Sequence, residues 1–274
     1  MFETRQGRSA FSSIMATLEL IYHSTVREVR KGHRNAIAGL LMSMVQTVVM
    51  IGAFYFMFAL IGMRSSPIND ADYLLYLMSG IFLFMVHAKT MGAVAKADGP
   101  ASAMMQHAPL TTFVAVASAA LAALYLQLLS LFTLLFLYHA IWNPVVINDP
   151  VGAMAMLLLA WFSGIAVGLI FYAIRPWSGE ASTILASVWS RANMVASGKM
   201  FLANNMPTHI LVFFWWNPLF HVIDQARGAI FINYSPHYSD WRYALWVSLG
   251  LFVIGLMAEN FTRRRASASW GAAR

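Results

Sequence analysis

Long runs of apolar residues without charge, separated by short polar breaks, dominate the chain. From residue 36 to residue 63, for example, 28 consecutive residues carry no Asp, Glu, Lys or Arg. A helix needs only about 20 apolar residues to cross the hydrocarbon core of a membrane. The pattern therefore predicts an all-α membrane protein with six transmembrane helices. The predicted spans cover residues 36–63, 73–94, 110–141, 151–174, 181–203 and 243–261.

Two charged residues, Arg191 and Lys199, lie within the predicted span 181–203. A charge at membrane depth is expensive against lipid and usually faces a cavity or a partner. No acidic residue lies within two helical turns of Arg191, so we expect Arg191 to face the translocation pathway. Lys199 lies near the outer end of the span, and we expect its amine to snorkel to the membrane surface.

A different pattern precedes the first span, over residues 9–34. Apolar side chains recur there at helical spacing, at Phe11, Ile14, Met15, Leu18, Ile21, Tyr22, Val26 and Val29. Basic residues cluster toward the end of this stretch, so we predict an amphipathic interface helix on the cytoplasmic side. An ordinary first helix packed on a soluble partner is the alternative, and both can hold at once.

The stretch 204–240 is largely apolar but broken. Pro207, Asn217 and Pro218 interrupt it, and no charged residue occurs from residue 200 to residue 223. Asn is a good N-cap and Pro suits the first helical turn, so a new helix should begin at Asn217 and run to about Gly228. That helix and the one before it are each too short to cross the membrane. We therefore predict an outer re-entrant helical hairpin between spans 5 and 6, which lines or closes a pathway.

The second half of this hairpin has an apolar stripe with spacings of three and four residues. The stripe should pack on neighbouring spans and consists of Leu219, Val222, Ile223, Ala226 and Ile230. Asp224 and Arg227 are three residues apart on the same helix and can pair, which would hold the half-helix in place.

A short segment lies between spans 2 and 3, at residues 95–109. Gly99-Pro100 and Pro109 bound it, and such residues break helices. We predict a short cytoplasmic helix over residues 101–108 on which a partner ATPase could act. A simple connecting loop is the alternative.

The basic residues divide unevenly between the two sides of the predicted bundle. With a cytoplasmic N-terminus, thirteen Lys and Arg residues lie in cytoplasmic segments, and only Arg64, Arg227 and Arg242 lie in outer segments. This positive-inside bias predicts that both termini are cytoplasmic and that the hairpin lies outside.

The composition sets the broad class of the protein. Hydrophobic residues make up 59% of the 274 residues and charged residues 11%, so one membrane domain accounts for residues 1–274. The net charge of +7 follows the membrane topology and does not indicate nucleic-acid binding. The absence of cysteine excludes disulfides and thiol chemistry. The N-terminus has no apolar core typical of a cleaved signal peptide.

Recognisable catalytic and energy-coupling motifs are missing. The sequence has no phosphate-binding loop, its acidic residues lie mostly in loops, and its histidines do not have metal-ligand spacing. We also find no arrangement of nucleophile and base. These features predict a pore-former without catalytic residues, metal or cofactor of its own, which draws its power from another chain.

Several motifs resemble one transporter family. The run WNPLFHVIDQARGAIF (216–231) is similar to the W-N-P-L-x-H-x-x-[ED]-x-x-R signature of ABC-2-type permeases that export capsular polysaccharide and O-antigen. SGKMFLANNMP (197–207) and MMQHAPLTTFVAVASA (104–119) resemble other family segments. The likeness covers essentially the whole chain and is strongest to the capsule-export permease.

The resemblance implies a set of partners in the bacterial inner membrane. These are a second copy of the permease and two copies of an ATPase subunit, which would hold ATP and Mg. The cargo would be a lipid-linked polysaccharide. A periplasmic co-polymerase or adaptor and an outer-membrane export protein are further implied partners.

The resemblance and the pattern together select three groups of site residues. The ATPase-coupling residues are Met104, Met105, Gln106 and His107. The outer lid motif consists of Asn217, Pro218, His221, Asp224 and Arg227. The pathway candidates are Arg191, Trp215, Trp216 and Tyr234.

Three other functions remain open at this point. The chain could be an ABC-2 permease for O-antigen or one for a small lipid or drug. It could also be a membrane-embedded transferase of envelope synthesis, which should have an acid–base constellation and need no ATPase.

Overall fold

The structure is a computed structural model that describes residues 10–31, 36–60, 62, 66–98 and 111–271. Every regular element in these ranges is helical. The helices are α1 (Ala10–Lys31), α2 (Ala36–Leu60), α3 (Tyr73–Ala95), α4 (Thr112–Ile141), α5 (Pro150–Ile174), α6 (Gly179–Ala196), α7 (Thr208–Trp215), α8 (Pro218–Ile230) and α9 (Trp241–Gly271), with a 3-10 turn at Ala203–Asn205. The predicted all-α class is therefore confirmed.

Five of the described helices are long and apolar enough to cross a membrane. They are the spans predicted first, second, third, fourth and last, and they correspond to α2, α3, α4, α5 and α9. The helix predicted over 181–203 is shorter than expected. It ends at Ala196, and Gly198 follows with φ of +68°, a left-handed conformation that suits glycine after a helix.

The centre of the bundle is the pair α3 and α5. Gly164 and Gly168 of α5 are four residues apart and face α3, in the small-residue spacing that lets membrane helices approach closely. A Cβ on Gly164 would stand 2.7 Å from the carbonyl oxygen of His87, and one on Gly168 would stand 2.8 Å from that of Met91. Two glycines thus bring the backbones of α3 and α5 together.

One end of the bundle is basic. At this basic end Arg27 and Lys31 of α1 pair with Asp98 at 3.2 and 3.0 Å. Arg175, after α5, donates to the carbonyl of Ala97 at 2.9 Å. Trp177, before α6, donates to Thr262 of α9 at 2.9 Å.

The other end of the bundle is acidic. At this acidic end Asn143, after α4, donates to Asp72 at 3.0 Å. The backbone N–H of Asp149, before α5, donates to the carbonyl of Ala229 in α8 at 2.7 Å. Helix α8 is therefore attached to the acidic end.

Helix α1 has the two faces that the sequence predicts. Ile21 and Ser24 are buried, and the helix packs against α4. Phe11, Ile14 and Tyr22, which belong to the same predicted apolar stripe as Ile21, are exposed. An exposed apolar face on an amphipathic helix next to spans is suited to a membrane surface.

Candidate functional site

The candidate site lies at the acidic end and is formed by α7 and α8 with the loops on either side. Its second helix begins where the sequence predicts. Asn217 is the N-cap, its side-chain oxygen accepts from the N–H of Leu219 at 3.0 Å, and Pro218 occupies the first turn. The helix runs to Ile230, two residues beyond the predicted end. Its local sequence is sufficient to place it.

Asn217 also joins the start of α8 to α6. Its amide donates to the side chain of Asn193 at 2.8 Å and to the carbonyl of Ala196 at 2.9 Å. Asn217 is 1% exposed, so each of these groups would lose a buried partner if the amide were removed. One residue therefore caps α8 and fixes the end of α6.

His221 is buried and makes two backbone hydrogen bonds. Its Nε2 lies 2.8 Å from the carbonyl oxygen of Trp215, and its Nδ1 lies 3.0 Å from the backbone nitrogen of Asp240. Because a carbonyl only accepts and an N–H only donates, Nε2 carries the hydrogen and Nδ1 accepts. The ring links the end of α7 to the start of α9 as a neutral group.

Asp224 does not pair with Arg227, so the predicted ion pair is wrong. The two carboxylate oxygens of Asp224 accept instead from the hydroxyl of Tyr234 at 2.5 Å and from that of Ser239 at 2.7 Å. Burial and the adjacent Asp224 carboxylate raise the pKa of the Tyr234 hydroxyl, which keeps it a neutral donor. The carboxylate thus holds the loop between α8 and α9.

Arg227 points into a different set of partners. Its guanidinium donates to the carbonyls of Gly198 at 3.1 Å, Phe201 at 2.7 Å and Lys199 at 2.5 Å. The same group lies over the ring of Tyr76, 4.4 Å from its centroid. Three carbonyls and an aromatic face offset the desolvation of a fully buried cation. The spacing of Asp224 and Arg227 on one helix predicted that they pair. Arg227 donates instead to backbone carbonyls of the loop after α6.

Lys199 lies inside the protein, so the predicted snorkelling is wrong. Its side chain is 1% exposed. Its amine stands 3.5 Å from the ring centroid of Phe84, 4.9 Å from that of Phe54 and 4.0 Å from the sulfur of Met50. Because α6 ends early, Lys199 lies in a turn that faces α2 and α3 rather than lipid or water. The sequence signal for this site was an isolated Lys in an apolar run.

The pathway candidates do not share one environment. Arg191, Trp215 and Trp216 are exposed, whereas Tyr234 is buried against Asp224. Trp216 meets Trp189 of α6 edge to face, with ring centroids 6.4 Å apart. Arg191 and the two tryptophans therefore lie on exposed surfaces of α6 and of the end of α7. Tyr234 belongs to the buried hydrogen-bond network of Asp224.

The predicted coupling residues Met104, Met105, Gln106 and His107 lie outside the described residues. The chain just before them is firmly attached. Asp98 pairs with two basic residues of α1, and its carbonyl accepts from the hydroxyl of Tyr172 at 3.2 Å. Asp98 was not selected from the sequence, since a lone Asp before Gly-Pro carries no distinctive pattern.

The arrangement is suited to holding helices, and no reactive chemistry is evident in it. Most of its polar atoms bond to backbone groups or to one another, and the described residues contain no cluster of three or more His, Cys, Asp or Glu that could bind a metal. Asn217, His221, Asp224 and Arg227 fasten α8 to α6, α7, α9 and the intervening loops. We refer to these four residues as the α8 clamp.

Comparison with known proteins links the chain to a polysaccharide transport protein. No protein-family model matches it. It is similar to the polysialic acid transport protein KpsM of Escherichia coli, with 22% identity over 266 residues. The match covers 91% of this chain and 95% of KpsM. This similarity confirms the predicted resemblance to the capsule-export permeases.

Proposed function

We propose that the chain is the transmembrane permease of an ABC exporter that moves lipid-linked capsular polysaccharide outward across the bacterial inner membrane. The observation that carries this proposal is the similarity to KpsM over nearly the whole length of both chains. The five long apolar helices agree with a polytopic permease. A separate ATPase subunit, which would bind ATP and Mg, would supply the energy by hydrolysing ATP.

In this proposal α6 also crosses the membrane and is the fifth of six crossings in chain order. Its start lies near Thr262 at the basic end, through Trp177, and its end contacts Asn217 at the acidic end. Its 18 residues correspond to roughly 27 Å of helix, close to the thickness of a hydrocarbon core. With six crossings both termini lie on the basic side, which the positive-inside rule assigns to the cytoplasm.

The α7–α8 hairpin is then the outer lid of the pathway. It lies at the acidic end, and α7 and α8 contain 8 and 13 residues, too few for either helix to cross alone. The predicted apolar stripe supports this placement, since Leu219, Val222, Ile223 and Ala226 are buried. The α8 clamp keeps the lid in a fixed position.

A second copy of the chain would cover the exposed side of α6. Ile184, Leu185, Val188 and Val195 are exposed apolar residues of α6, and Arg191 is exposed on the same helix. A charge among apolar residues is unfavourable against lipid. A homodimer whose pathway runs between the two copies would give Arg191 water and an anionic group of the lipid-linked substrate as neighbours.

The ATPase would act at the basic end, through residues 95–109. The Asp98 contacts with Arg27 and Lys31 support this, because a force on the segment after Asp98 would reach both α1 and α3. Two ATPase copies would serve the permease dimer. Periplasmic and outer-membrane export partners would receive the polysaccharide on the far side.

Reconstitution tests the function directly. The permease would be purified with the ATPase subunit that accompanies it, placed in lipid vesicles and supplied with lipid-linked polysaccharide. We expect polysaccharide to cross the membrane only with ATP, and vanadate to stop it. The matched control is the same complex with an inactive ATPase.

Two results would contradict the proposal. ATP-driven movement of a small lipid or drug without movement of polysaccharide would identify a permease for small molecules. Group transfer between envelope precursors without any ATPase would identify a transferase.

A further inference from the structure

Two cavities adjoin at the acidic end of the bundle, away from the α8 clamp. The first, of about 530 Å³, lies between α2, α3 and α4. The second, of about 410 Å³, lies above it among the loops that follow α4 and α8 and precede α3. Asp72 and Tyr138 line both cavities. The two spaces therefore adjoin and form one site. We call the first the inner cavity and the second the outer cavity.

The inner cavity is an apolar groove on the side of the bundle. Val48 of α2 and Leu137 and Ile141 of α4 line it and are exposed. Its wall is therefore open to the side at which a membrane helix meets lipid. Gly52 also lines this cavity, and a Cβ added there would meet no atom within 4 Å. In a membrane, the apolar group that can enter such a groove from the side is the acyl chain of a lipid.

The outer cavity carries two carboxylates. Asp70 contacts the amide of Asn233 at 3.3 Å, and Asp72 contacts the amide of Asn143 at 3.0 Å. No Lys, Arg or His is present among the described residues that line either cavity. Asp72 also accepts from the backbone N–H groups of Leu74 and Leu75 at the start of α3. All of these donors are neutral groups, so both carboxylates keep their negative charge. The outer part of the site is thus complementary to a cation.

Phenolic hydroxyls lie between these two environments. Tyr138 is 5% exposed, and its hydroxyl lies near Asp72 and Asn143 without a hydrogen bond of acceptable geometry. The buried hydroxyl of Tyr73, which lines the inner cavity, also has no hydrogen-bond partner within the part of the chain that the structure describes. A buried hydroxyl without a partner loses the hydrogen bond that it would make in water. Both hydroxyl oxygens are covered by neighbouring atoms, so each becomes a donor to a ligand through a small shift of its side chain.

The apolar groove, the phenolic hydroxyls and the carboxylates follow one another along the two cavities. From this arrangement we infer a binding site for a membrane phospholipid with an ammonium headgroup. The acyl chain occupies the groove beside Val48 and Leu137. Its phosphate accepts hydrogen bonds from Tyr73 and Tyr138, and its ammonium group meets Asp70 and Asp72. The carboxylates disfavour a purely anionic headgroup. The site does not depend on the proposed cargo or on the pathway between two copies.

Lipid binding to the purified full-length protein tests the inference. Phosphatidylethanolamine, phosphatidylglycerol and a neutral diglycosyl diacylglycerol would be titrated in nanodiscs of matched chain composition, with retained lipid counted by native mass spectrometry. We expect phosphatidylethanolamine to bind more tightly than phosphatidylglycerol by at least about fivefold, since two ionic contacts of partly exposed groups are involved.

Conservative variants separate the headgroup from the acyl chain. Asp70 has a φ of +57°, which Asn tolerates, and Asp72 is the N-cap of α3, where Asn also serves. The double variant D70N/D72N should therefore fold and lose the preference for phosphatidylethanolamine. G52L should fill the groove and weaken binding of every lipid tested.

Matched controls accompany both variants. Asp149 caps α5 and lines neither cavity, so D149N should leave the lipid preference unchanged. Gly250 of α9 also has open space at its Cβ position, so G250L should leave lipid binding unchanged. Equal or tighter binding of phosphatidylglycerol, tightest binding of the glycolipid, or an unchanged preference in D70N/D72N would overturn the inference.

Discussion

The Nη2 atom of Arg227 lies 2.7 Å from the point at which a Cβ on Gly80 would stand. Gly80 is in the middle of α3, and the carbonyl oxygen of Lys199 would be only 2.6 Å from the same Cβ. The hydrogen bond from Arg227 to that carbonyl therefore forms in a space that only glycine leaves open. A residue in the central helix thus decides whether α8 can be fastened to the loop after α6.

Replacing Gly80 by Ala should break this arrangement. The added methyl must displace the Arg227 guanidinium or the backbone at Lys199, and overpacking of this kind costs about 1–3 kcal/mol. We expect a lower melting temperature in detergent and reduced export. Gly92 of the same helix has open space at its Cβ position, so G92A is the control and should not lower the melting temperature. Equal behaviour of the two variants would contradict the packing argument.

Exchanging Asp224 and Arg227 should not restore function. The two residues bind different partners, so D224R/R227D leaves each new charge buried without its partners, a loss of about 3–5 kcal/mol for each broken site. We expect the double variant to be at least as unstable as either single one. Partial rescue, measured as melting temperature and export, would show that the two side chains do pair.

Tyr234 should stabilise the loop between α8 and α9. Replacing it by Phe removes one donor to the buried Asp224 carboxylate, at a loss of about 1–3 kcal/mol. Chemical denaturation should detect this difference. Tyr238, which is exposed, supplies the control Y238F, for which no loss is expected. If both variants unfold alike, the Tyr234 hydroxyl contributes nothing to the clamp.

Lys199 should be a source of instability. Burying an ammonium group without an anionic partner costs several kcal/mol, whereas cation–π contact with Phe84 and Phe54 returns about 2 kcal/mol. Met has a similar shape without charge, so K199M should raise the melting temperature. K199R, which keeps the charge and enlarges the group, should lower it. A lower melting temperature for K199M would mean that the aromatic contacts outweigh desolvation.

Arg191 should be required for transport but not for folding. R191K should retain part of the export activity and R191L little, with both at normal abundance in the membrane. Arg242 is exposed at the acidic end beside Trp241, and R242L serves as the control with activity retained. Full export by R191L, or failure of a cysteine at position 191 to react with aqueous reagents, would remove Arg191 from the pathway.

The sequence by itself determined where the long apolar helices lie. A membrane helix makes its backbone hydrogen bonds within its own segment, so an uncharged run is enough to locate it. Local rules likewise placed the start of α8, since Asn217 and Pro218 act on the residues that follow them. The boundary of α6 was less well determined, because the apolar pattern continues past Ala196, where the helix ends.

Only the tertiary structure decided where the buried charges go. Arg227 finds its acceptors 26 to 29 residues away, Lys199 lies among residues of α2 and α3, and the closeness of α3 to the hairpin depends on Gly80. The partners of a buried polar group are chosen by which groups become neighbours once the helices pack. Spacing along one helix shows which ion pairs can form. Which of them does form depends on the desolvation cost of each buried group and on the acceptors that packing brings near it.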